Sequence, residues 1–258
     1  MTKLIPLGHF FFHYRNAVFP LLLLGAVLLA HPVHPLGNPM LDTALDLIGV
    51  LVALSGQTIR ALTIGYDYIK RGGKNKQVYA DRLVQGGMFA LSRNPLYLGN
   101  GLILLGLALI INAPLFYVLA IPLTVLIYAS IIAAEEQYLQ QKFGAEFTDY
   151  CSRVNRLWPR WRDFPQAIDG MAFHWKRLLA KEHNTTFGWL LGAIAAKLWS
   201  ESVIQGLGYW EHRQALILSG LLVLTGLAYA LVHYLKKSGA LAEKSPRAVD
   251  GYSPADVS

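Results

Sequence analysis

A chain of 258 residues that is 54% hydrophobic and only 15% charged, with a mean hydropathy of +0.36, is not built as an ordinary soluble domain. Its net charge of +7 comes from basic residues gathered beside apolar runs, which points to an anionic membrane face and away from nucleic acid. A single cysteine, Cys151, excludes internal disulfides and multi-cysteine metal sites.

Apolar runs close to the roughly 17–25 residues that cross a bilayer recur along the chain. They predict an all-α polytopic membrane protein of about six transmembrane helices. The first, Ala17 to Ala30, is short, and Phe10–Phe12 extends it through the interface. No small-residue cleavage pattern follows, so it reads as an uncleaved anchor. Asn38-Pro39 then supplies a cap and a first-turn proline for a span from about Leu41 to Gly65. Asp42 and Asp46 at its start suit the helix dipole, and Arg60 near its far end can snorkel; all three read as interface anchors.

Residues 66–95 form a polar loop containing Lys70, Arg71, Gly72, Gly73, Lys74, Lys76 and Arg82. Leu96–Asn112 and Leu115–Ala134 follow, parted only by Asn112-Ala113-Pro114, and so short a turn predicts a tight antiparallel helical hairpin. From Glu135 the helix continues out of the membrane to Gly144, placed as the residue past its end. Ala145–Val154 predicts a short amphipathic piece with Phe147, Tyr150 and Val154 on one face. Trp158 and Trp161, among the arginines of 153–162, belong at a headgroup layer. A fifth run, Phe187 to about Leu207, carries Lys197 and Glu201 at a spacing that lets them pair. A sixth, Gln214–Leu235, ends in Lys236-Lys237, and the tail from Ser238 is expected to be disordered. The histidines at 9, 13, 31 and 34 share no ligand spacing with cysteine or acids and read as interfacial.

Of the 23 Lys and Arg, Arg60 and Lys197 fall inside spans and Arg213 alone in the loops 1–2, 3–4 and 5–6. The other 20 lie in the termini and the loops 2–3 and 4–5, so the positive-inside rule places both termini and the motif-bearing loops in the cytosol. The hairpin starts and ends on that side. It therefore brings Asn94-Pro95-Leu96-Tyr97 opposite Glu135-Glu136 across the cytosolic mouth.

LVQGGMFALSRNPLYLGN, followed by EEQYLQQKFGAEFTDYCSRVNRLWP, resembles the C-terminal core of the isoprenylcysteine carboxyl methyltransferase family, which the phospholipid methyltransferases share. The resemblance covers roughly residues 75–162. It implies an S-adenosylmethionine-dependent methyltransferase of bacterial inner-membrane type, with a cytosol-facing cofactor pocket and a lipid or lipid-like acceptor entering from the side. On the matching positions it implies Glu135 as the catalytic residue at the acceptor end. It implies Asp81, Arg82, Leu83 and Val84 as a strand-like stretch lining the cofactor, with Phe89, Arg93, Asn94, Pro95, Leu96, Tyr97 and Glu136 completing that site. Two positions depart from the pattern: Asn94 replaces a histidine, and Ile131 stands where the prenylcysteine enzymes carry an arginine. With no arginine there to pair a carboxylate and Glu135 kept to take a proton, an amine or other neutral nucleophile gains weight.

The organisation expected is 1–74 as an N-terminal transmembrane pair and loop start, 75–162 as the methyltransferase core, 163–237 as an appended pair, and 238–258 as the tail. An NADPH-dependent membrane lipid or sterol reductase, and a small transporter or lipid-binding membrane protein, stay open as alternatives. The acceptor, the oligomeric state and the role of the last two spans are left open as well.

Overall fold

The computed structural model describes residues 4–29, 32–67 and 80–242. His31, the basic stretch from Lys70 to Lys76 and most of the tail expected to be disordered lie outside the described residues.

The elements in order are α1 (Leu4–Leu29), α2 (Pro39–Tyr66), α3 (Pro95–Ile111), α4 (Ile121–Phe143), α5 (Ala145–Arg153), α6 (Phe164–Ala167), α7 (Trp175–Gln205) and α8 (Arg213–Lys237). α4 is entered without a break through a π-turn at Phe116–Ala120. Among the described residues three helical stretches are long and apolar enough to cross a membrane: Pro39–Tyr66, Phe116–Phe143 and Arg213–Lys237; Pro95–Ile111 is a shorter apolar helix. Among the described residues the only β-pairing is an isolated bridge between Ser92 and Asn155, so Asp81–Val84 forms no strand.

Local chemistry sets the boundaries. The Asn38 side chain accepts from the amides of Met40 (2.9 Å) and Leu41 (3.4 Å), and Pro39 occupies the first turn, where a missing N–H is harmless. Asn112 ends α3 in the left-handed region at φ 46°, and Gly144 ends α4 at φ 51°. Two helices begin well before the apolar runs read from sequence. α1 starts at Leu4, which places Arg15 inside it, and α7 starts at Trp175.

The bundle is held by two close seams. α2 and α3 approach through glycine: a Cβ on Gly56 would lie 2.5 Å from the Gly99 carbonyl oxygen, and one on Gly49 2.7 Å from that of Gly106. α1 crosses α4 where Gly8 lies against the Ser130 backbone and Ala134. Thus α3 leans on α2 and α4 on α1, while the hairpin's own two helices touch over much less of their length. They meet at the end where α3 begins and α4 finishes, through Tyr97 and Glu135.

α7 docks on the end of α2. Arg177 donates to the carbonyls of Ile64 (2.8 Å), Gly65 (2.7 Å) and Tyr66 (3.2 Å), which have no partners within their own helix. α8 buries only Ala215 and presents Leu216, Leu224 and Leu227 outward, as a helix facing lipid does.

Buried charge corrects the reading of Arg60, Asp42 and Asp46 as interface anchors. Arg60 is 4% exposed and pairs with Glu182 of α7 through Nε and, at 3.0 Å, Nη2. Lys197 pairs with Glu201 (2.7 Å), as its spacing suggested, and also with Asp42 (2.6 Å) and Asp46 (2.8 Å). Both clusters tie α7 to α2, one at each end of the bundle.

Candidate functional site

The site is built where α3 starts and α4 ends. Gly87, at φ 55°, opens a short 3-10 turn through Ala90 that buries Met88 and Phe89. The chain then runs extended through Ser92 and Arg93 before Pro95 starts α3. Residues 154–160 lie alongside and hold it: the Arg93 amide donates to the Asn155 carbonyl at 2.9 Å, and the Arg160 amide to the Leu91 carbonyl at 3.2 Å. The Ser92 hydroxyl donates to the Leu157 carbonyl at 2.8 Å. Below this, Phe147, Tyr150 and Val154 of the amphipathic piece form a small core with Leu83. The Tyr150 hydroxyl donates to the Phe89 carbonyl at 2.7 Å, and burial holds that phenol above its usual range.

The two stretches expected to face each other do so through two polar pairs. The Tyr97 hydroxyl donates to Glu135 Oε1 at 3.0 Å. Arg93 donates to Glu136 Oε1 at 3.3 Å, and Arg156 reaches Glu136 Oε2 at 2.7 Å, so two guanidiniums hold one carboxylate. Arg93 also donates to the Cys151 carbonyl (3.0 Å) and the Val154 carbonyl (3.4 Å), while its Nε is buried without a partner. Asn94 donates to the Arg156 carbonyl at 2.9 Å; in this structure that side chain ties two chain segments together.

The remaining residues read from sequence sit around this core in different ways. Phe89 and Pro95 are buried, and Leu96 is half-buried, its carbonyl accepting from Arg60 at 3.4 Å. Arg82 is exposed and pairs with Asp67 at 3.1 Å. Asp81 is exposed, and Leu83 and Val84 are half-buried in irregular chain.

Next to this group are residues the sequence did not mark. The Tyr128 ring of α4 lies 5.2 Å from that of Tyr97 and 5.0 Å from Phe19 of α1. Asn100 of α3 accepts from Arg60 through its Oδ1. Glu135 is thus linked to Tyr97 by a hydrogen bond, and Tyr97 to Tyr128 by ring packing. Phe12 packs with Ile127, Ile131 and Tyr97 on the side of α1. Tyr128 and Asn100 stand on apolar helices where a tyrosine or asparagine ordinarily packs or caps, so no spacing picked them out.

Residues 44–146 match the phospholipid methyltransferase family, in agreement with the resemblance read from the paired motifs. The matched segment contains α2, α3 and α4 and hence Arg93, Asn94, Tyr97, Glu135 and Glu136; α1, Arg156, α7 and α8 fall outside it. A curated relative, the cobalt-zinc-cadmium resistance protein CzcN of Cupriavidus metallidurans, is 35% identical over 124 residues, covering 48% of this chain. The chain spans about half the length of that relative (51%). No solved structure matches it.

Proposed function

We propose that the protein is an integral membrane methyltransferase that uses S-adenosylmethionine to methylate a lipid-like or small apolar acceptor in the cleft between α3 and α4. The observation that carries this reading is the Tyr97–Glu135 hydrogen bond of 3.0 Å, which joins the two motifs inside the family-matched segment.

The residues at the mouth of the cleft fit such a cofactor. A sulfonium is favoured by aromatic faces and carboxylates, and Tyr97, Tyr128 and Glu135 supply both within one group of contacts. The buried, unpartnered Arg93 Nε is the kind of donor that a carboxylate at the cofactor's amino-acid end satisfies. Glu136 holds Arg93 and Arg156 in register for that task. Bound there, the cofactor supplies an electrophilic methyl group for in-line displacement.

The chain's own residues do the rest. Phe12, Ile127 and Ile131 keep water from the deeper cleft. Tyr97 orients the Glu135 carboxylate by donating to one oxygen and leaves the other to face the acceptor. An ammonium must lose a proton before it can attack, and Glu135 accepts it. Asp81, Arg82, Leu83, Val84 and Phe89 support the loop on the cofactor side. With the basic end of the bundle in the cytosol, the cofactor arrives from water and the acceptor from the bilayer.

The test is direct. Purified protein in lipid nanodiscs is incubated with methyl-labelled S-adenosylmethionine and a membrane lipid extract, and the labelled lipid is identified. The expected result is a labelled product whose formation falls by about 10²-fold or more in a Glu135→Gln, Tyr97→Ala double variant. An unchanged rate in that variant sinks the site assignment. Binding of NADPH but not S-adenosylmethionine overturns the reaction itself.

A further inference from the structure

The seam between α7 and α8 is closed differently at its two ends. Toward the turn that joins them, Leu198, Tyr209 and Ala215 form a buried cluster, with Ile194, Leu218 and Leu222 packed around it. At the other end four rings interleave. His183 and Phe187 stand one turn apart on α7, and Tyr229 and His233 one turn apart on α8. The His183 and Tyr229 rings lie nearly parallel, 6.0 Å apart at 22°. Phe187 meets Tyr229 at 5.8 Å, and the two imidazoles are 5.8 Å from each other. A cavity of about 260 Å³ bordered by Asn184, Phe187, Gly188, Leu191 and Tyr229 adjoins them, so this end of the seam is the less tightly filled.

This packing suits neutral imidazoles. His183 is 3% exposed; its Nδ1 meets the Leu179 carbonyl at 3.1 Å, and its Nε2 is buried without a partner. The Nδ1 of His233 is likewise buried and unpartnered. Charging either ring puts an N–H on an atom that nothing accepts from. The charges on the two helices do not offset this. Lys236 and Lys237 follow His233 by three and four residues on α8, and Lys181 precedes His183 by two on α7. Glu182, next to His183, engages Arg60 of α2. The Tyr229 hydroxyl is neutral near pH 7 and donates to Asn184 at 3.3 Å. His183 precedes the apolar run that begins at Phe187. Burial, then Lys236 and His233, hold its imidazole below the ordinary range, against a smaller opposing effect of the Leu179 carbonyl.

We propose that His183 and His233 form a proton-sensitive latch that holds the Lys236 end of α8 on α7, closed while both rings are neutral and released when they charge. Two imidazoliums at this separation, beside Lys236, repel each other and gain water by parting. Undocked rings titrate near pH of about 6.5. Docking lowers the value for His183, so the closed seam has its full stability above that pH and loses it as pH falls through the lowered value. Tyr209, fully buried at the far end, keeps α8 attached there and acts as the pivot. Through Glu182 and Arg60, which reaches the Leu96 carbonyl at 3.4 Å, the latch borders the helix that carries Tyr97.

Full-length protein carrying Cys151→Ser is spin-labelled at Leu179→Cys on α7 and Leu231→Cys on α8, both exposed positions, and reconstituted in nanodiscs of uncharged lipid. Distances between the labels are measured by double electron–electron resonance from pH of about 8 down to about 5, across the histidine range. At the upper end one short distance is expected. A longer-distance population then grows at least about tenfold as pH falls below about 6.5. The variant His183→Phe, His233→Phe keeps ring packing and removes titration, and it stays in the short population throughout. A distribution that does not change with pH while both histidines are present overturns the latch with no variant needed. So does the same pH-dependent separation in the folded double-Phe variant, which would put the titrating group elsewhere. No cofactor or acceptor is added, so the outcome is independent of methyl transfer.

Discussion

Replacing Glu182 by leucine is expected to destabilise the protein far more than replacing both Glu182 and Arg60 by apolar residues. In the native structure Arg60 is 4% exposed and Glu182 1%, and the guanidinium engages both carboxylate oxygens. Removing one member of such a buried pair strands a charge in low dielectric and costs about 3–5 kcal/mol, whereas exchanging the whole pair for apolar side chains is commonly close to neutral. Partners that survive the single change soften it: Asn100 Oδ1, the Leu96 carbonyl at 3.4 Å and the Thr185 hydroxyl at 3.4 Å still accept from Arg60. They are neutral acceptors and cannot replace a full opposite charge, so the loss stays near the lower end of that range. The combination Arg60→Met, Glu182→Leu should then cost less than Glu182→Leu alone, an interaction energy of a size that double-mutant cycles resolve. Helix content followed through a titration from mild detergent into sodium dodecyl sulfate gives each unfolding free energy. A double variant as unstable as the sum of its two singles would refute the reasoning, because it would make the two residues independent.

At the opposite end of the bundle, one ammonium serves three carboxylates. Lys197→Met, which leaves Asp42, Asp46 and Glu201 unneutralised, should lower stability by about 3–5 kcal/mol, while Asp46→Asn should change it little or raise it. The same detergent titration reads both signs, and a destabilising Asp46→Asn of similar size would contradict the excess-charge argument. Cys151 gives a pH-dependent readout beside the site. Burial pushes its thiol above the ordinary range and outweighs the nearby Arg93, so thiolate is scarce at neutral pH. The rate of alkylation by N-ethylmaleimide should therefore keep rising above pH of about 8.5, where an ordinary cysteine is half ionised; a half-maximal rate at or below that pH would contradict the assignment.

What could be read from the sequence was local or periodic. Asn38-Pro39 and Asn112-Ala113-Pro114 mark helix ends by residue chemistry alone, and the structure places boundaries there. The facing of Tyr97 and Glu135 followed from a tight turn between two apolar runs, which is a topological inference and needs no family. Charges inside helices were read worst. Arg60 and Asp42 looked like interface anchors because a helix end shows only its own neighbours, and their true partners, Glu182 and Lys197, lie on a helix 122 and 155 positions away in the chain. Glu182 was hidden further because it precedes the apolar run that announced the fifth span. Arg15 is hidden in the sequence in the same way: apolar composition begins after it, whereas the helix begins at Leu4.

These misreadings share a cause that bears on specificity. The segment matching the family carries Tyr97 and Glu135, and a scan for family motifs finds what that segment encodes. Charges packed beside that segment come from α1 and α7: Gly8 lets α1 close on α4, and Arg177 fastens the start of α7 to the end of α2. The sequence reading took Ile131 to remove a cation from the acceptor end. In the structure Ile131 packs against Phe12 of α1, and Arg15 lies over that same ring. A cation is therefore present on the α1 side of Ile131, supplied by a helix outside the matched segment.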